Sequence, residues 1–226
     1  MNEDLIHNNI AGQLKRQLSN FWLDFNFPKI EQKINEAYEL CMNCLAASNN
    51  KYLNPDGVPH FLLHHSVCWS IFLYYLSKCL AEDSDTLCDA EKIYYLNKIL
   101  HSVDWYCGIN LPFHFMAEHP LGSVLGRANY GDYLYIYQGV TVGGNISLRS
   151  GKLEYPTIGR HVILFSDAKI LGESIIGDNV IISANSYIIN EDIPDNSIVF
   201  GSSPNLIIKR DKEKVESCMK KIWRFK

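Results

Sequence analysis

The chain has 226 residues, 47% of them hydrophobic, 12% aromatic and 20% charged, with a formal net charge of -4 and seven cysteines. That apolar fraction excludes disorder and suffices for one large domain or two small ones without disulfides or metal. A mild negative charge with no Lys/Arg cluster excludes a dedicated nucleic-acid surface, because neutralising phosphates needs concentrated positive charge. The longest near-apolar run, Ser66 to Leu76, is too short for a membrane span of roughly 20 residues. The acidic start Met1-Asn2-Glu3-Asp4 is unlike a basic export signal. Cys41, Cys44, Cys68, Cys79, Cys88, Cys107 and Cys218 are odd in number and scattered, which predicts thiols in a reducing cytoplasm.

In chain order, the first elements have helical period. Ile6, Ile10, Leu14, Leu18 and Phe21 recur at steps of three or four, as do Ile30, Ile34, Ala37, Tyr38, Cys41, Cys44 and Leu45. They predict two amphipathic helices separated by Pro28. After the breaker stretch Asn54 to Pro59, a segment from about Phe61 to Leu80 is apolar on nearly every side and should be central to its domain. Asp89 is read as the N-cap of a fourth helix carrying Ile93, Leu96, Leu100 and Val103 on one face. An α-helical N-terminal domain is therefore expected over 1–103.

Glycine marks a change near residue 104. Only Gly12 and Gly57 precede it, and the other twelve lie from Gly108 to Gly201; isoleucine shifts the same way, 7 before and 17 after. The period becomes six: Tyr130, Ile136 and Val142, then Ile158, Leu164, Ile170, Ile176, Ile182 and Ile188, with glycine following Tyr130, Val142, Ile158 and Ile176. Neither a helix nor an alternating strand produces that spacing. A parallel β-helix does, with each hexad forming one side of a triangular coil and its aliphatic residue pointing to the axis. Residues 125–142, 158–175 and 176–193 each make a coil, with a partial earlier one near Gly108 to His119. The fold class is thus α+β: N-terminal helices, then a parallel β-helix of hexapeptide repeats over 104–210, then a helical tail over 211–226 on which Val215, Cys218 and Ile222 recur. After Val142 the next station is Ile158, not position 148, so about ten residues are extruded as a loop containing Gly143, Gly144, Arg149 and Gly151. A regular solenoid gains nothing from such a loop, which points to function.

Several of these features together resemble the serine acetyltransferase branch of left-handed β-helix acyltransferases. They are Val103-Asp104, His119 fifteen positions on in what reads as a buried setting, Tyr137-Gln138-Gly139-Val140-Thr141-Val142-Gly143-Gly144, the extruded loop, and Ala168-Lys169-Ile170-Leu171-Gly172. The resemblance covers about residues 86–210. It implies acetyl transfer from acetyl-CoA, as co-substrate and without a metal, to a hydroxyl. His119 would be the general base, Asp104 the carboxylate orienting its imidazole, and Gly143 or Gly144 the backbone oxyanion donors. Glu118 would face the acceptor. Ser166, Ala168 and Ala184 would line the pantetheine arm, and Lys209 would meet a CoA phosphate. The resemblance also implies that the CoA groove lies between subunits of a homotrimer, with a dimer of trimers possible through the helical domain.

The departures shape the expected acceptor. Serine-specific members end the extruded loop in Arg-His-Pro, whose basic pair grips the amino acid's carboxylate; this chain has Glu154-Tyr155-Pro156. A carboxylate beside Glu154 would be repelled. The family's Asp before the catalytic His is Glu118, the upstream Asp-Pro serine element has no counterpart, and the end Arg224-Phe225-Lys226 lacks a terminal isoleucine. The expectation is therefore an O-acetyltransferase for a hydroxyl of a sugar or surface polysaccharide, with Glu154, Tyr155, Phe113 or Phe115 meeting the sugar. The alternatives are serine O-acetyltransferase with an unusual pocket, and a non-catalytic β-helix that binds a partner or sugar. Cys41-Met42-Asn43-Cys44 has redox or zinc spacing but reads as the buried face of a helix, and His60 with His64 lacks a third ligand nearby.

Overall fold

The computed structural model describes residues 3–147 and 150–224, so Met1, Asn2, Leu148, Arg149, Phe225 and Lys226 lie outside the described residues. Helix α1 (Glu3–Phe21) buries Ile10, Leu14 and Leu18 against α3 (Ile34–Ala47), which buries Ile34, Ala37, Cys41, Cys44 and Leu45. Pro28 does not merely separate them. It opens a short helix of its own, α2 (Phe27–Gln32), where a missing N–H costs nothing, and the Asn26 side chain accepts the Lys29 N–H at 3.3 Å.

Helix α4 (Ser66–Leu80) starts later than the apolar run, because Phe61 lies in the preceding loop and packs its ring against Tyr38, Trp69 and Phe72. Every α4 residue except Ser66 and Lys78 is buried, which makes it the central rod of the helical region. Helix α5 (Leu87–His101) is capped at Thr86, not at Asp89. Asp89 lies inside the first turn, where its carboxylate accepts the Asn26 N–H at 3.3 Å and pairs with Lys92 at 3.7 Å. A carboxylate there still favours the positive end of the helix, so the sequence signal is real and its register is off by one turn.

From Asp104 the chain winds into three parallel walls. One stacks Phe115–Ala117, Leu134–Ile136, Val162–Leu164, Val180–Ile182 and Ser197–Phe200, about five coils. A second stacks Asp104–Trp105, Val124–Leu125, Thr141–Gly143, Lys169–Leu171 and Tyr187–Ile189, and the third Asn129–Tyr130, Thr157–Ile158, Ile175–Ile176 and Asp192–Ile193. Val162 pairs with Val180 on one side and with Leu134 on the other, and the step back to Leu134 is the longer by ten. That surplus is the extruded loop, and it leaves the register on both sides intact. Ile136, Leu164 and Ile182 stack fully buried in one wall, Val142, Ile170 and Ile188 in the next. Each such side chain contributes roughly 1.5–3 kcal/mol on removal from water. At one corner the coils pass so closely that a Cβ on Gly159 would meet the Gly177 carbonyl carbon at 2.6 Å, which is why glycine follows Ile158.

Antiparallel Ile207–Arg210 covers the free edge of the last coil. Helix α6 (Lys212–Ile222) then docks through Val215 and Met219, and buried Trp223 sets its ring edge-on against Tyr133 and Tyr135. The chain end returns to the helical region, where the Arg224 N–H donates to the Ala47 carbonyl at 2.8 Å and the Asn49 N–H to Ile222 at 2.7 Å. The tail helix is thus a clasp between helices and coils. Among the described residues no helix is long and apolar enough to cross a membrane.

Candidate active site

His119 sits where one coil is longer than its neighbours. Ala117 pairs with Ile136 and Val124 with Thr141, so the step between the coils is longer by two before the corner than after it. The first coil therefore ends its wall two positions early and needs two more to turn the corner. The Gly139 N–H bonds to Leu121 as the Asp167 N–H bonds to Gln138, so Leu121 takes the place of Gln138 and the extra pair is His119-Pro120. The result is a projecting turn with His119 at φ 48 and exposed, not the buried setting its sequence suggests. An imidazole on such a turn is accessible to a second molecule.

Its neighbour Glu118 is half-buried and fixed: the Tyr135 hydroxyl donates to Glu118 Oε2 at 2.6 Å. Burial first and the Glu118 carboxylate second push the Tyr135 phenol far above its ordinary value, so this phenol stays a donor. His65, at the head of α4, has a buried Nδ1 with no partner among the described residues. Burial, then the proximity of His119, holds its imidazole below the ordinary value.

Asp104 does not reach His119. Its carboxylate accepts from Tyr94 Oη at 2.5 Å and Lys98 Nζ at 2.6 Å, both on α5. Burial alone would raise its carboxyl, but hydrogen bonds from Lys98 and Tyr94 and the Lys98 charge bring it below the usual carboxylate value. In this structure Asp104 ties α5 to the first coil. The physical reason is reach: Lys98 lies in the last turn of the helix that delivers the chain to Asp104.

The expected CoA residues divide. Through the ladder Asp167 N–H to Gln138 and Asn185 N–H to Ser166, the residues Gln138, Ser166 and Ala184 stack in a column up the same corner as His119. Ser166 is half-buried and Ala184 exposed, so both present surface. Lys209 stands over the Phe200 ring at 5.6 Å, beside the last coil. Ala168 is fully buried and points to the axis, so its side chain cannot line a groove; it occupies the interior place that the wall geometry gives every second residue.

Gly143 and Gly144 lie at the next corner, together with Gly126 and Gly172. A wall of about three residues at ~3.3 Å each separates them from the His119 corner, so within one chain their N–H groups do not face the His119 imidazole. The extruded loop is a hairpin, Asn145–Ile146 against Leu153–Glu154. Glu154 is drawn into it, with the Ser150 hydroxyl donating to Oε1 at 3.0 Å and Oε2 buried without a partner among the described residues. Tyr155 sets its ring against Gly144, where a Cβ would meet it at 2.8 Å. The Arg127 guanidinium lies over the same ring, 5.2 Å from its centroid, and Nη1 donates to the Tyr155 hydroxyl at 3.4 Å. Phe115, expected as a sugar platform, is fully buried against Trp105 and can meet no ligand; Phe113 is exposed.

Sequence reasoning missed Arg127, Tyr135 and His65. For Arg127 a signal existed, since it follows Gly126 at the same corner, one coil below Gly144. Among the described residues no three His, Cys, Asp or Glu side chains are grouped to hold a metal. Cys41 and Cys44 are buried in α3, where burial raises both thiols, Cys44 to about 11.

Residues 155–190 match the family model for the bacterial transferase hexapeptide (six repeats). The serine acetyltransferase of Synechococcus elongatus is 39% identical over 85 residues, 37% of this chain and 34% of that protein. The fold is a hexapeptide-repeat parallel β-helix. Among the solved structures that share it are two serine acetyltransferases. Serine acetyltransferase of Brucella abortus in complex with coenzyme A has a TM-score of 0.67 at 19% identity, over 91% of this chain and 82% of that one. That of Neisseria gonorrhoeae in complex with serine has a TM-score of 0.63 at 22% identity, over 84% and 80%. This chain spans about a third of the length of the first curated relatives it matches. The expectation of a sugar or polysaccharide acceptor is overturned: the relatives are named for serine, and a neighbour of this fold holds serine. The inference from Glu154 failed because it took a side chain's charge for its direction.

Proposed function

We propose that the chain is a serine O-acetyltransferase that uses acetyl-CoA, with His119 as general base. The observation that carries this reading is the projecting His119 turn, preceded by the fixed Glu118 carboxylate and placed at the head of the Gln138, Ser166 and Ala184 column. The names of the relatives supply the acceptor. As the serine Oγ attacks the thioester carbonyl carbon, its proton passes to the His119 imidazole. Collapse of the tetrahedral intermediate breaks the C–S bond, and the proton goes to the CoA thiolate. Glu118, with Oε2 held by Tyr135, offers its other oxygen to the acceptor's ammonium group. Ser166, Ala184 and Lys209 form the track for CoA.

Within one chain the His119 corner and the Gly143-Gly144 corner are a wall apart, so they act on one acceptor only where two copies stand side by side. Gly143 or Gly144 then supplies the oxyanion N–H, since glycine lets the backbone approach closely. A cytoplasmic site of action fits seven free cysteines and a CoA thioester substrate. The test is release of CoA thiol with L-serine, L-threonine and L-homoserine as acceptors. Turnover with L-serine that vanishes in His119→Ala supports the proposal; no turnover with L-serine overturns it.

A further inference from the structure

The chain lacks the basic pair that would grip an amino acid's carboxylate at the end of the extruded loop, yet the proposed acceptor carries one. Arg127 stands at that place. Its backbone is pinned, because the Gly126 N–H donates to Val142 at 2.7 Å and the Gly126 carbonyl accepts from the Tyr130 hydroxyl at 2.7 Å. Its guanidinium lies over the Tyr155 ring, 5.2 Å from the centroid, with Nη1 at 3.4 Å from the Tyr155 hydroxyl. Tyr155 in turn rests on Gly144. A guanidinium held over a ring and tethered through Nη1 loses little freedom on binding, and its Nε–Nη2 edge is left for two parallel bonds to a carboxylate.

Charge decides what this edge attracts. Arg127 forms no ion pair with an acidic side chain among the described residues, although it is exposed. The nearby Glu154 carboxylate is engaged inside the hairpin with Ser150 and is not spent on Arg127. The corner therefore presents an uncompensated, oriented cation beside two glycines that leave the backbone approachable.

We propose that Arg127, held on Tyr155, grips the carboxylate of the acceptor amino acid and so determines specificity. This rests on the reading of the chain as an amino-acid acetyltransferase. The role is transferred from the loop end to the coil below, where only the stacking of coils brings Arg127 and Tyr155 together across the inserted loop.

The experiment uses the full chain and two readouts. In steady-state kinetics with acetyl-CoA, Arg127→Gln raises the KM for L-serine about 30-fold or more, with kcat within threefold and the KM for acetyl-CoA unchanged. Arg127→Lys, which keeps charge but not the fork, is intermediate, and Tyr155→Ala raises the serine KM less than Arg127→Gln does. Serinol, which has no carboxylate, is a poor substrate of the wild type, and Arg127→Gln removes that discrimination. An unchanged serine KM in Arg127→Gln overturns the clamp while leaving the proposed function standing. The second readout is calorimetric binding of L-serine and serinol without acetyl-CoA. Serine binding that depends on Arg127 in a protein that does not turn serine over keeps the clamp and removes the proposed function. Equal binding of both ligands, or of serine to wild type and Arg127→Gln, overturns the clamp.

Discussion

The helical half and the coiled half bury their apolar residues by different rules. In the helices, α4 is surrounded, and its rings and thiols meet partners from several directions with no repeated register. In the coils, each inward aliphatic residue touches its equivalents in the coils above and below, so one local rule is applied about five times. The lesson is where departures are tolerated. A ten-residue loop and a two-residue turn interrupt the coils without shifting the walls, because each coil is specified by its own hexads. Those two interruptions carry the extruded hairpin and His119. The helical half meets the coils instead through Lys98 and Tyr94, and the C-terminal tail clasps the two through Trp223.

The comparison can be broken most sharply at the chemistry. His119→Ala is expected to lower kcat by about 10²–10⁴-fold while melting temperature and far-UV dichroism stay at wild-type values, since the side chain is exposed. Loss of folding in that variant would show that the projecting turn is part of the wall. Next is the periodic core: Ile170→Ala, between Val142 and Ile188, should cost about 2–4 kcal/mol in urea unfolding. A loss under about 1 kcal/mol would mean that the coils relax around a cavity as a rigid stack should not.

The joint gives a pH test. Burial lowers the His101 imidazole to about 4, while its Nδ1 meets Asn97 Oδ1 at 2.7 Å. An unfolded histidine titrates near 6.5, so between about pH 6.5 and 4 the unfolded chain binds the extra proton. Stability is full above pH 6.5, falls through that window by up to about 3 kcal/mol, and levels off below it. His101→Gln should flatten this part of the urea midpoint against pH, and an unchanged slope would assign it to other groups. The smallest expected effect is on stability of the loop deletion. Removing residues 145–154 restores the six-residue step and should change unfolding free energy by no more than about 1 kcal/mol, while serine turnover is lost with the hairpin. A large destabilisation would refute the independence of the coils.

Much of this architecture is legible in sequence, for a local reason. The six-residue stations from Ile158 to Ile188 read directly as coils because each aliphatic residue answers only to its own hexad, and the loop length follows from the broken count. Asp89 shows the limit of local signals, since an acidic residue in the first turn and an N-cap look alike until the backbone is traced. His119 is visible as a residue but not as a projecting turn, because the hexad count fails in the coil that carries it.

Direction and partnership were decided only in three dimensions. Whether Asp104 points to His119 or to Lys98, whether Ala168 faces a groove or the axis, and whether Glu154 repels an acceptor or turns into its hairpin depend on backbone direction and packing, even where the partner is only four to ten residues away. Arg127 and Tyr155 are the clearest case, joined by the vertical stacking of coils across an inserted loop. The sequence by itself determined the helical region and the hexapeptide solenoid, because those follow from periodicity and residue type, whereas His119 was singled out by the resemblance of its surroundings to a family. Only the tertiary structure decided which charges meet, because electrostatic partnership depends on distance and burial, and a one-dimensional pattern carries neither.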